Sequence, residues 1–234
     1  MNEPRSAIIM AAGRGIGEGI ARHLHSAGYS LVLVSNGEGA RTLASELRCL
    51  GLQGSVTSED DINSAVSAAV EAFGRIDLVV NNTGHPATGP LLEIPDSDWR
   101  MGLDLLLLNV VRMARAVTPV MEAQGGGSIV NISTYAAVEP NPRFPVSSTL
   151  RNALAAWTKM YADLYGPKGI RINNILPGSF ENYPSSPEQL GRIPLRRQGK
   201  MKELGEVVAF LASEGGSYIT GQNIRIDGGL ARPI

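Results

Sequence analysis

Residues 7–21 read AIIMAAGRGIGEGIA, and this stretch decides the fold because it joins an apolar strand to a helix through a glycine-dense turn. Glycines let a backbone bend tightly and approach a ligand closely. The start of a helix directs unpaired N–H groups and the positive end of the helix dipole towards an anion. The glycine spacing departs from the strict G-x-G-x-x-G pattern, which leaves a tight structural turn as the alternative. The stretch predicts a cradle for the pyrophosphate of a dinucleotide.

The composition is that of one globular domain. The 234 residues are 43% hydrophobic and 18% charged, which suits a single α/β domain over residues 1–234. The net charge of −1 argues against nucleic acid and against an anionic membrane surface as partners. Cys49 is the only cysteine, which excludes an internal disulfide and a thiolate metal cluster, and no metal site is expected. Because residues 1–5 leave no room for a signal peptide and the apolar runs are too short to cross a bilayer, we expect a cytoplasmic protein.

Apolar segments and helical patterns alternate along the whole chain. Besides the first strand and the helix that follows it, strands are predicted at 29–35, 51–56, 76–80, 128–132, 170–176 and 223–227. Further helices are predicted at 40–50, 60–73, 95–121, 145–165 and 204–212. About seven strands joined by helical crossovers predict an α/β fold with a doubly wound parallel sheet.

Small and polar residues follow five of the predicted strands. They lie at 13–17, 35–36, 81–84, 132–135 and 177–178. In a doubly wound sheet, ligands bind beyond the carboxyl ends of the strands. We therefore expect these five segments to line one crevice.

Eight short motifs occur in order along the chain. They are GRGIG at 13–17, FGRID at 73–77, NNTG at 81–84, GSIVNIS at 127–133, GIRIN at 169–173, PG at 177–178, TGQ at 220–222 and DGG at 227–229. This ordered set closely resembles the short-chain dehydrogenase/reductase family over essentially the whole chain. The resemblance implies a Rossmann-type fold and an NAD(P)-dependent oxidoreductase that acts on a small-molecule carbonyl or alcohol, such as a 3-oxoacyl compound or a similar ketone. It also implies a homodimer or homotetramer built through the two long helices.

By resemblance, the cofactor is held at four strand ends and by one residue of a later helix. These positions are Gly13, Arg14, Gly15, Ile16, Gly17, Ser35, Asn36, Asn82, Thr83, Gly84, Pro177, Gly178 and Arg151. The family's turn begins with Thr-Gly, whereas this chain has Met10 and Ala11. We expect the remaining glycines to tolerate that loss.

The choice between NAD and NADP is made at the end of the second strand. An acidic residue there would hydrogen-bond the ribose 2′-hydroxyl and repel a 2′-phosphate. This chain has Ser35 and Asn36 instead, and Arg14 could face the phosphate, although a solvated turn residue is the alternative. We expect NADP(H) to be favoured over NAD(H).

The catalytic positions depart from the family. Thr134 stands where the family has a Ser, and thirteen residues later the family's Tyr-x-x-x-Lys is replaced by Ser147 and Arg151. The supporting Asn of the preceding helix falls at Leu106, and Asn109 points to another side of that helix. A phenol can be tuned towards neutral pKa values, which the Ser147 hydroxyl cannot match. Arg151 keeps the charge but does not relay a proton easily, because the pKa of arginine stays above about 12.

Three hypotheses follow from these replacements. In the first, Thr134, Ser147 and Arg151 polarise a carbonyl while water supplies the proton. In the second, the acid has moved, to His85 after the NNTG motif or to Tyr135 beside Thr134, although a solvent-facing histidine and a packed rim tyrosine are the plainer interpretations. In the third, the protein is a catalytically inactive dinucleotide-binding pseudoenzyme, acting as a regulatory or partner subunit.

A segment rich in Pro, Ser, Arg and Gly spans about 179–200 and occupies the position of the family's substrate lid. Arg192, Arg196 and Arg197 make this lid basic. They favour an anionic substrate group, with solvated loop charges as the alternative.

Overall fold

The computed structural model describes residues 5–232, which form one parallel sheet with helices on both faces. Within these residues there are seven strands, in the spatial order β3-β2-β1-β4-β5-β6-β7, and each of the six neighbouring pairs is parallel. The strands are β1 Ser6–Ile9, β2 Ser30–Ser35, β3 Leu50–Gln53, β4 Leu78–Asn81, β5 Gly127–Ile132, β6 Ile170–Pro177 and β7 Asn223–Ile226. The predicted doubly wound α/β sheet is confirmed. The ends of the predicted domain, residues 1–4 and 233–234, lie outside the described residues.

The helices connect consecutive strands and cover the sheet. They are α1 Gly15–Ser26, α2 Gly39–Leu47, α3 Glu59–Phe73, α4 Asp96–Leu103, α5 Asn109–Ala123, α6 Pro145–Tyr165, α7 Pro187–Gly191 and α8 Met201–Ala212. α4 and α5 form one path joined by a π-helical segment at Asp104–Leu108. Among the described residues, no helix is both long enough and apolar enough to span a bilayer.

The sheet separates two hydrophobic cores, and the strands feed both. Along β1, Ala7 and Ile9 belong to the core under α1 and α8, whereas Ile8 belongs to the core under α3 and α5. Successive side chains of a strand point to opposite faces, so a central strand needs apolar residues on both. The continuous apolar runs of the sequence follow from this double burial.

Several predicted elements differ from the structure. The strand predicted at 51–56 ends at Gln53, and the strand predicted at 76–80 lies at Leu78–Asn81. The helix predicted at 40–50 ends at Leu47 because Arg48 adopts a left-handed conformation (φ +55°), and Leu50 begins β3. The helix predicted at 95–121 is interrupted by the π-helical segment, and the irregular segment 179–200 contains α7.

Four asparagines lie side by side across β4, β5, β6 and β7, and we call them the asparagine ladder: Asn81, Asn131, Asn174 and Asn223. Each amide donates to the next, from Asn81 Nδ2 to Asn131 Oδ1 (2.9 Å), from Asn131 Nδ2 to Asn174 Oδ1 (2.9 Å) and from Asn174 Nδ2 to Asn223 Oδ1 (2.8 Å). The hydroxyl of Thr158 on α6 also donates to Asn174 Oδ1 (3.1 Å). The ladder therefore ties α6 to the sheet through hydrogen bonds that lie inside the protein.

Candidate functional site

The glycine turn between β1 and α1 forms a tight backbone cradle. Gly15 has φ +59° and Ala11 has φ +49°, so the turn uses the left-handed region twice. A Cβ on Gly17 would lie 2.3 Å from the Ala11 carbonyl oxygen, which leaves no room for a side chain. Arg14, the N-cap of α1, provides no side-chain cap. The first-turn N–H groups of α1 are therefore available to an anion, as the pyrophosphate of a dinucleotide requires.

The end of β2 packs against this turn. Ser35 Oγ accepts a hydrogen bond from Ala40 N and donates to Gly37 O, both at 2.9 Å. A Cβ on Gly13 would lie 2.9 Å from Ser35 Oγ, so these two predicted cofactor residues are in contact. Asn36 and Arg14 are exposed at the same edge. The hydroxyl hydrogen of Ser35 is thus already used within the protein, whereas the Asn36 and Arg14 side chains face solvent.

Two buried polar side-chain atoms lack a hydrogen-bond partner. One lies just after β4, and the other lies on α6, next to the end of β5. Among the described residues, Thr83 Oγ1 and Arg151 Nε are the buried side-chain nitrogen or oxygen atoms without a hydrogen bond. Asn82, beside Thr83, donates from Nδ2 to the Ala11 carbonyl (3.2 Å) and so links the end of β4 to the glycine turn. Buried polar groups are nearly always hydrogen-bonded in folded proteins. Unpaired polar atoms at two neighbouring strand ends therefore fit a polar ligand that extends from the glycine cradle, such as a dinucleotide.

The three predicted catalytic residues gather at the end of β5. Thr134 begins the turn after the strand, and its Oγ1 accepts a hydrogen bond from Ala136 N (3.3 Å). Arg151 Nη1 donates to the carbonyl of Ile132, the last residue of β5 (2.5 Å). Ser147 lies one helical turn before Arg151 on α6, which places both side chains on one face. In the part of the chain that the structure describes, the Ser147 hydroxyl makes no hydrogen bond and remains available to a ligand.

Arg151 is a buried cation. The residue is 8% exposed, and none of the ion pairs formed by the described residues includes it. Burial lowers the pKa of Arg151 to about 10, with no carboxylate to oppose the effect. The pKa is lowered because removal from water disfavours the charged form, yet it stays well above neutral, so the guanidinium keeps its charge as expected.

The supporting asparagine of the family is replaced by an apolar contact. Leu106 lies within the π-helical segment and is 1% exposed. Asn109 is also buried, and its Oδ1 accepts from the neighbouring Val110 N (2.6 Å). Leu106 therefore supplies neither a donor nor an acceptor to Arg151.

The segment 179–200, the predicted lid, lies beside the glycine turn. Asn182 Nδ2 lies 3.6 Å from the position that a Cβ on Gly15 would take. Gln198 Nε2 lies within hydrogen-bond distance of Ser179 Oγ (3.1 Å), Phe180 O (2.7 Å) and Tyr183 O (2.7 Å), so it ties the two ends of the lid together. At the base of the lid, Pro177 ends β6, and a Cβ on Gly178 would lie 2.7 Å from Asp227 Cα. The backbone at Asp227 therefore leaves no room for a side chain at position 178, which is also a predicted cofactor position.

The two alternative acids have different surroundings. His85 meets the lid, with Nε2 3.4 Å from the Tyr183 hydroxyl and ring centroids 5.9 Å apart. Gly84, just before it, has open space where a Cβ would point. Tyr135 is half-buried directly after Thr134. Tyr183 and Asn182 could not be selected from the sequence, because the predicted lid has neither hydrophobic periodicity nor a motif at those positions.

The basic residues of the lid are mostly paired. Arg197 forms a bidentate ion pair with Glu203 (2.8 and 2.6 Å), and Arg196 donates to the Gly191 carbonyl. Arg192 lines an open cavity of about 490 Å³ together with Glu139 and Arg232. Of the three arginines, Arg192 is the one whose guanidinium has no partner within residues 5–232. The same residues contain no group of three or more His, Cys, Asp or Glu side chains that could hold a metal ion.

Comparison with known proteins places the chain among oxidoreductases. A family model described as enoyl-(acyl carrier protein) reductase matches residues 10–231. The chain is 34% identical to oxidoreductase UcpA of Salmonella typhimurium (strain LT2) over 250 residues, covering 98% of this chain and 95% of the relative. It is 37% identical to the 3-oxoacyl-[acyl-carrier-protein] reductase FabG of Thermotoga maritima over 182 residues, covering 75% of this chain and 74% of the relative.

A solved structure shares the whole fold. The crystal structure of a putative short-chain alcohol dehydrogenase from Sinorhizobium meliloti 1021 superimposes with a TM-score of 0.91 at 28% sequence identity. The superposition covers 97% of this chain and 96% of that chain.

Proposed function

The chain belongs to the short-chain dehydrogenase/reductase family, and we propose that it is an NAD(P)(H)-dependent oxidoreductase of carbonyl or alcohol substrates with a non-standard catalytic centre. The observation that carries this proposal is a pair of unpartnered buried atoms along the strand ends, Thr83 Oγ1 just after β4 and Arg151 Nε on α6. Unpaired buried polar atoms cost stability, and a polar ligand removes that cost. The relatives include a 3-oxoacyl-[acyl-carrier-protein] reductase, which favours a 3-oxoacyl compound or a similar ketone as the substrate.

The residues of the centre would divide the work as follows. The bound nicotinamide supplies the hydride. Thr134 accepts a backbone hydrogen bond through Oγ1, so its own O–H is free to donate to a substrate carbonyl. Ser147 would donate a second hydrogen bond from the adjacent face of α6. Arg151, anchored to the Ile132 carbonyl, would orient the ribose of the nicotinamide and supply positive charge.

Water would deliver the proton in this centre. A positioned general acid contributes about 10² to 10⁴ in rate, so its loss slows the reaction without preventing it. We therefore expect a slow enzyme. His85 with Tyr183, or Tyr135, remains the alternative source of the proton, and a catalytically inactive dinucleotide-binding subunit remains the alternative function.

The preference for NADP(H) rests on charge at the end of β2. Arg14 is exposed beside the cradle, and Glu38, which follows the end of β2, is paired with Arg41 (3.3 Å). A 2′-phosphate bound there would be attracted by Arg14, and the ion pair with Arg41 would reduce its repulsion by Glu38. We expect Arg14→Ala to weaken NADPH binding and to leave NADH binding nearly unchanged, with both dissociation constants measured by calorimetry.

Three further features belong to the proposal. The lid at about 179–200 would cover the substrate, the protein would form a homodimer or homotetramer, and it would work in the cytoplasm. Nucleic acid and membranes are not among the proposed partners.

The function is tested by offering NADPH with ketones, diketones and 3-oxoacyl thioesters and following absorbance at 340 nm. Turnover that falls in Ser147→Ala and Arg151→Ala would support the centre, whereas turnover unchanged in both would contradict it.

Ser147→Tyr should raise turnover by about 10² or more, because it restores a phenol one turn from a cation, and Ser147→Phe is the matched control. Cofactor binding without turnover across the panel would favour the inactive subunit.

A further inference from the structure

Arg151 carries a charge that nothing in its surroundings neutralises. No carboxylate among residues 5–232 lies within ion-pair distance of the guanidinium, and no charged group contributes to the shift in its pKa. One hydrogen bond, to the neutral Ile132 carbonyl, is the contact that holds it. Buried charges in folded proteins are normally paired, because desolvation of an isolated ion costs several kcal/mol.

In the family's arrangement, a tyrosine could neutralise the buried cation. This chain has no such group, because serine stands at position 147. A tyrosine at position 147 could ionise beside the cation, whereas the Ser147 hydroxyl stays neutral at all accessible pH values. A ribose hydroxyl would satisfy one donor of the guanidinium, which has five N–H groups, but it brings no charge. The neutralising anion must therefore come from another part of the ligand.

The pyrophosphate of a dinucleotide is too far away to provide that charge. It would bind at the glycine turn after β1, whereas Arg151 is fixed to the end of β5. β4 lies between these two strands, so the separation is two strand spacings, about 10 Å. The remaining ligand on the β5 side of the crevice is the substrate, next to Thr134 and Ser147.

We propose that the substrate is a small oxo acid, and that its carboxylate binds the Arg151 guanidinium while its carbonyl faces Thr134 and Ser147. The inference rests on the proposed function and adds the chemical class of the substrate. Guanidinium and carboxylate form two parallel charge-assisted hydrogen bonds, a geometry that lysine cannot reproduce. The Ser-x-x-x-Arg replacement thus turns a proton-transfer site into a site that binds an anion.

The test measures binding rather than turnover. Protein saturated with NADP⁺ is titrated with three oxo acids and their amides, namely pyruvate and pyruvamide, acetoacetate and acetoacetamide, and levulinate and its amide. Oxidised cofactor has no hydride to donate to a carbonyl ligand, so thermal shift and calorimetry report affinity without turnover. In at least one pair the acid should bind about tenfold or more tightly than the amide, as expected for a charge-assisted contact.

Variants locate the anion. Arg192→Ala removes the unpaired guanidinium of the lid and should keep the preference for the acid, whereas Arg151→Met should bring the ratio of the two dissociation constants close to one. If Arg151→Met does not fold, Arg151→Lys decides, because its ammonium should lower the preference severalfold. An unchanged preference in Arg151→Lys would overturn the inference.

Two other results would also overturn the inference. They are the absence of any preference in the unmodified protein and a preference that Arg192→Ala abolishes. Either result, obtained with NADP⁺ bound, leaves the proposed function standing. Failure of NADP⁺ and NADPH to stabilise the protein would instead overturn the proposed function, and the inference with it.

Discussion

Ala11 holds a backbone conformation that alanine disfavours. Its φ of +49° lies in the left-handed region, at the point where β1 passes into the glycine turn. For a residue with a Cβ this conformation costs roughly 1 kcal/mol, and it persists where the surroundings impose it. The Ala11 carbonyl accepts from Asn82 Nδ2 and lies against Gly17, and both contacts fix its direction.

Ala11→Gly should therefore stabilise the protein. We expect the free energy of unfolding to rise by about 0.5 kcal/mol, since relief of the left-handed strain exceeds the entropy that glycine adds to the unfolded chain. Urea denaturation measures the change. Ala12→Gly is the control: Ala12 is fully buried and has no positive φ, so this variant should lose stability. A loss in Ala11→Gly as well would contradict the prediction.

The asparagine ladder is the element that fixes α6 relative to the sheet. Asn174 accepts from both Asn131 and Thr158 and donates to Asn223. Its amide therefore joins β5, α6 and β7 to β6. Asn174 and Thr158 are fully buried, whereas Asn223 is exposed at the end of the ladder. Together with the bond from Arg151 to the Ile132 carbonyl, these bonds hold α6 against the sheet.

Asn174→Ala should cost about 2–3 kcal/mol of unfolding free energy, because it leaves buried donors of Asn131 and Thr158 without their acceptor. Asn223→Ala, at the exposed end, should cost less than about 1 kcal/mol because water replaces the lost acceptor. Both values come from urea denaturation. Equal losses in the two variants would show that burial does not set the energy of the ladder.

Gln198 holds the two ends of the predicted lid together through its side-chain amide. Gln198→Ala should raise the dissociation constant for NADPH about threefold to tenfold and speed proteolysis within residues 181–192, since one side-chain amide holds both ends of the segment. Calorimetry and timed proteolysis measure the two effects. Gln222→Ala is the control, because the Gln222 side chain is exposed and donates from Nε2 to Thr220 O. Cleavage and affinity that match the unmodified protein would contradict this role.

Elements with a strong periodic pattern were predictable, and those set by tertiary contacts were not. The predicted helix at 145–165 coincides with α6, because its apolar spacing and the proline in its first turn mark both its face and its start. The asparagine ladder could not be predicted, since it depends on the register of four strands that are distant in sequence. Leu50 was assigned to a helix because nothing in the sequence marks Arg48 as left-handed.

The site was predictable to the same extent. The strand ends were found because parallel strands finish at one edge of the sheet, and the structure brings Thr134, Ser147 and Arg151 together there. The charge of Arg151 was predictable, but the lowering of its pKa was not, because that shift depends on burial, which only the folded chain defines. The position of the lid over Gly15 is likewise a tertiary contact without a local signal.

The molecule as a whole exposes apolar side chains on its long helices. Met160 and Leu164 lie one turn apart on α6, with 58% and 70% of their surface exposed, and Met101 on α4 is 61% exposed. Side chains of this kind on neighbouring helices suit an interface between subunits. They support the proposed homodimer or homotetramer.

Met160→Glu combined with Leu164→Glu should convert the oligomer to monomer, because two carboxylates would be buried against the partner subunit. Sedimentation velocity should give two or four times the monomer mass for the unmodified protein and the monomer mass for the double variant. Leu92→Glu is the control, since Leu92 is 96% exposed in a loop and should leave the mass unchanged. A monomeric unmodified protein would contradict the assembly.

The isolated charge of Arg151 also determines which residue selection would favour at position 151. An apolar residue of similar size would remove a buried ion at little or no cost in stability, so selection for folding alone would accept its replacement readily. A directed-evolution experiment that rewards only heat resistance should exchange Arg151 early, and at this position stability and ligand binding then favour opposite residues. On the proposed function, arginine is kept at this position for the ligand that it binds and not for the stability of the fold.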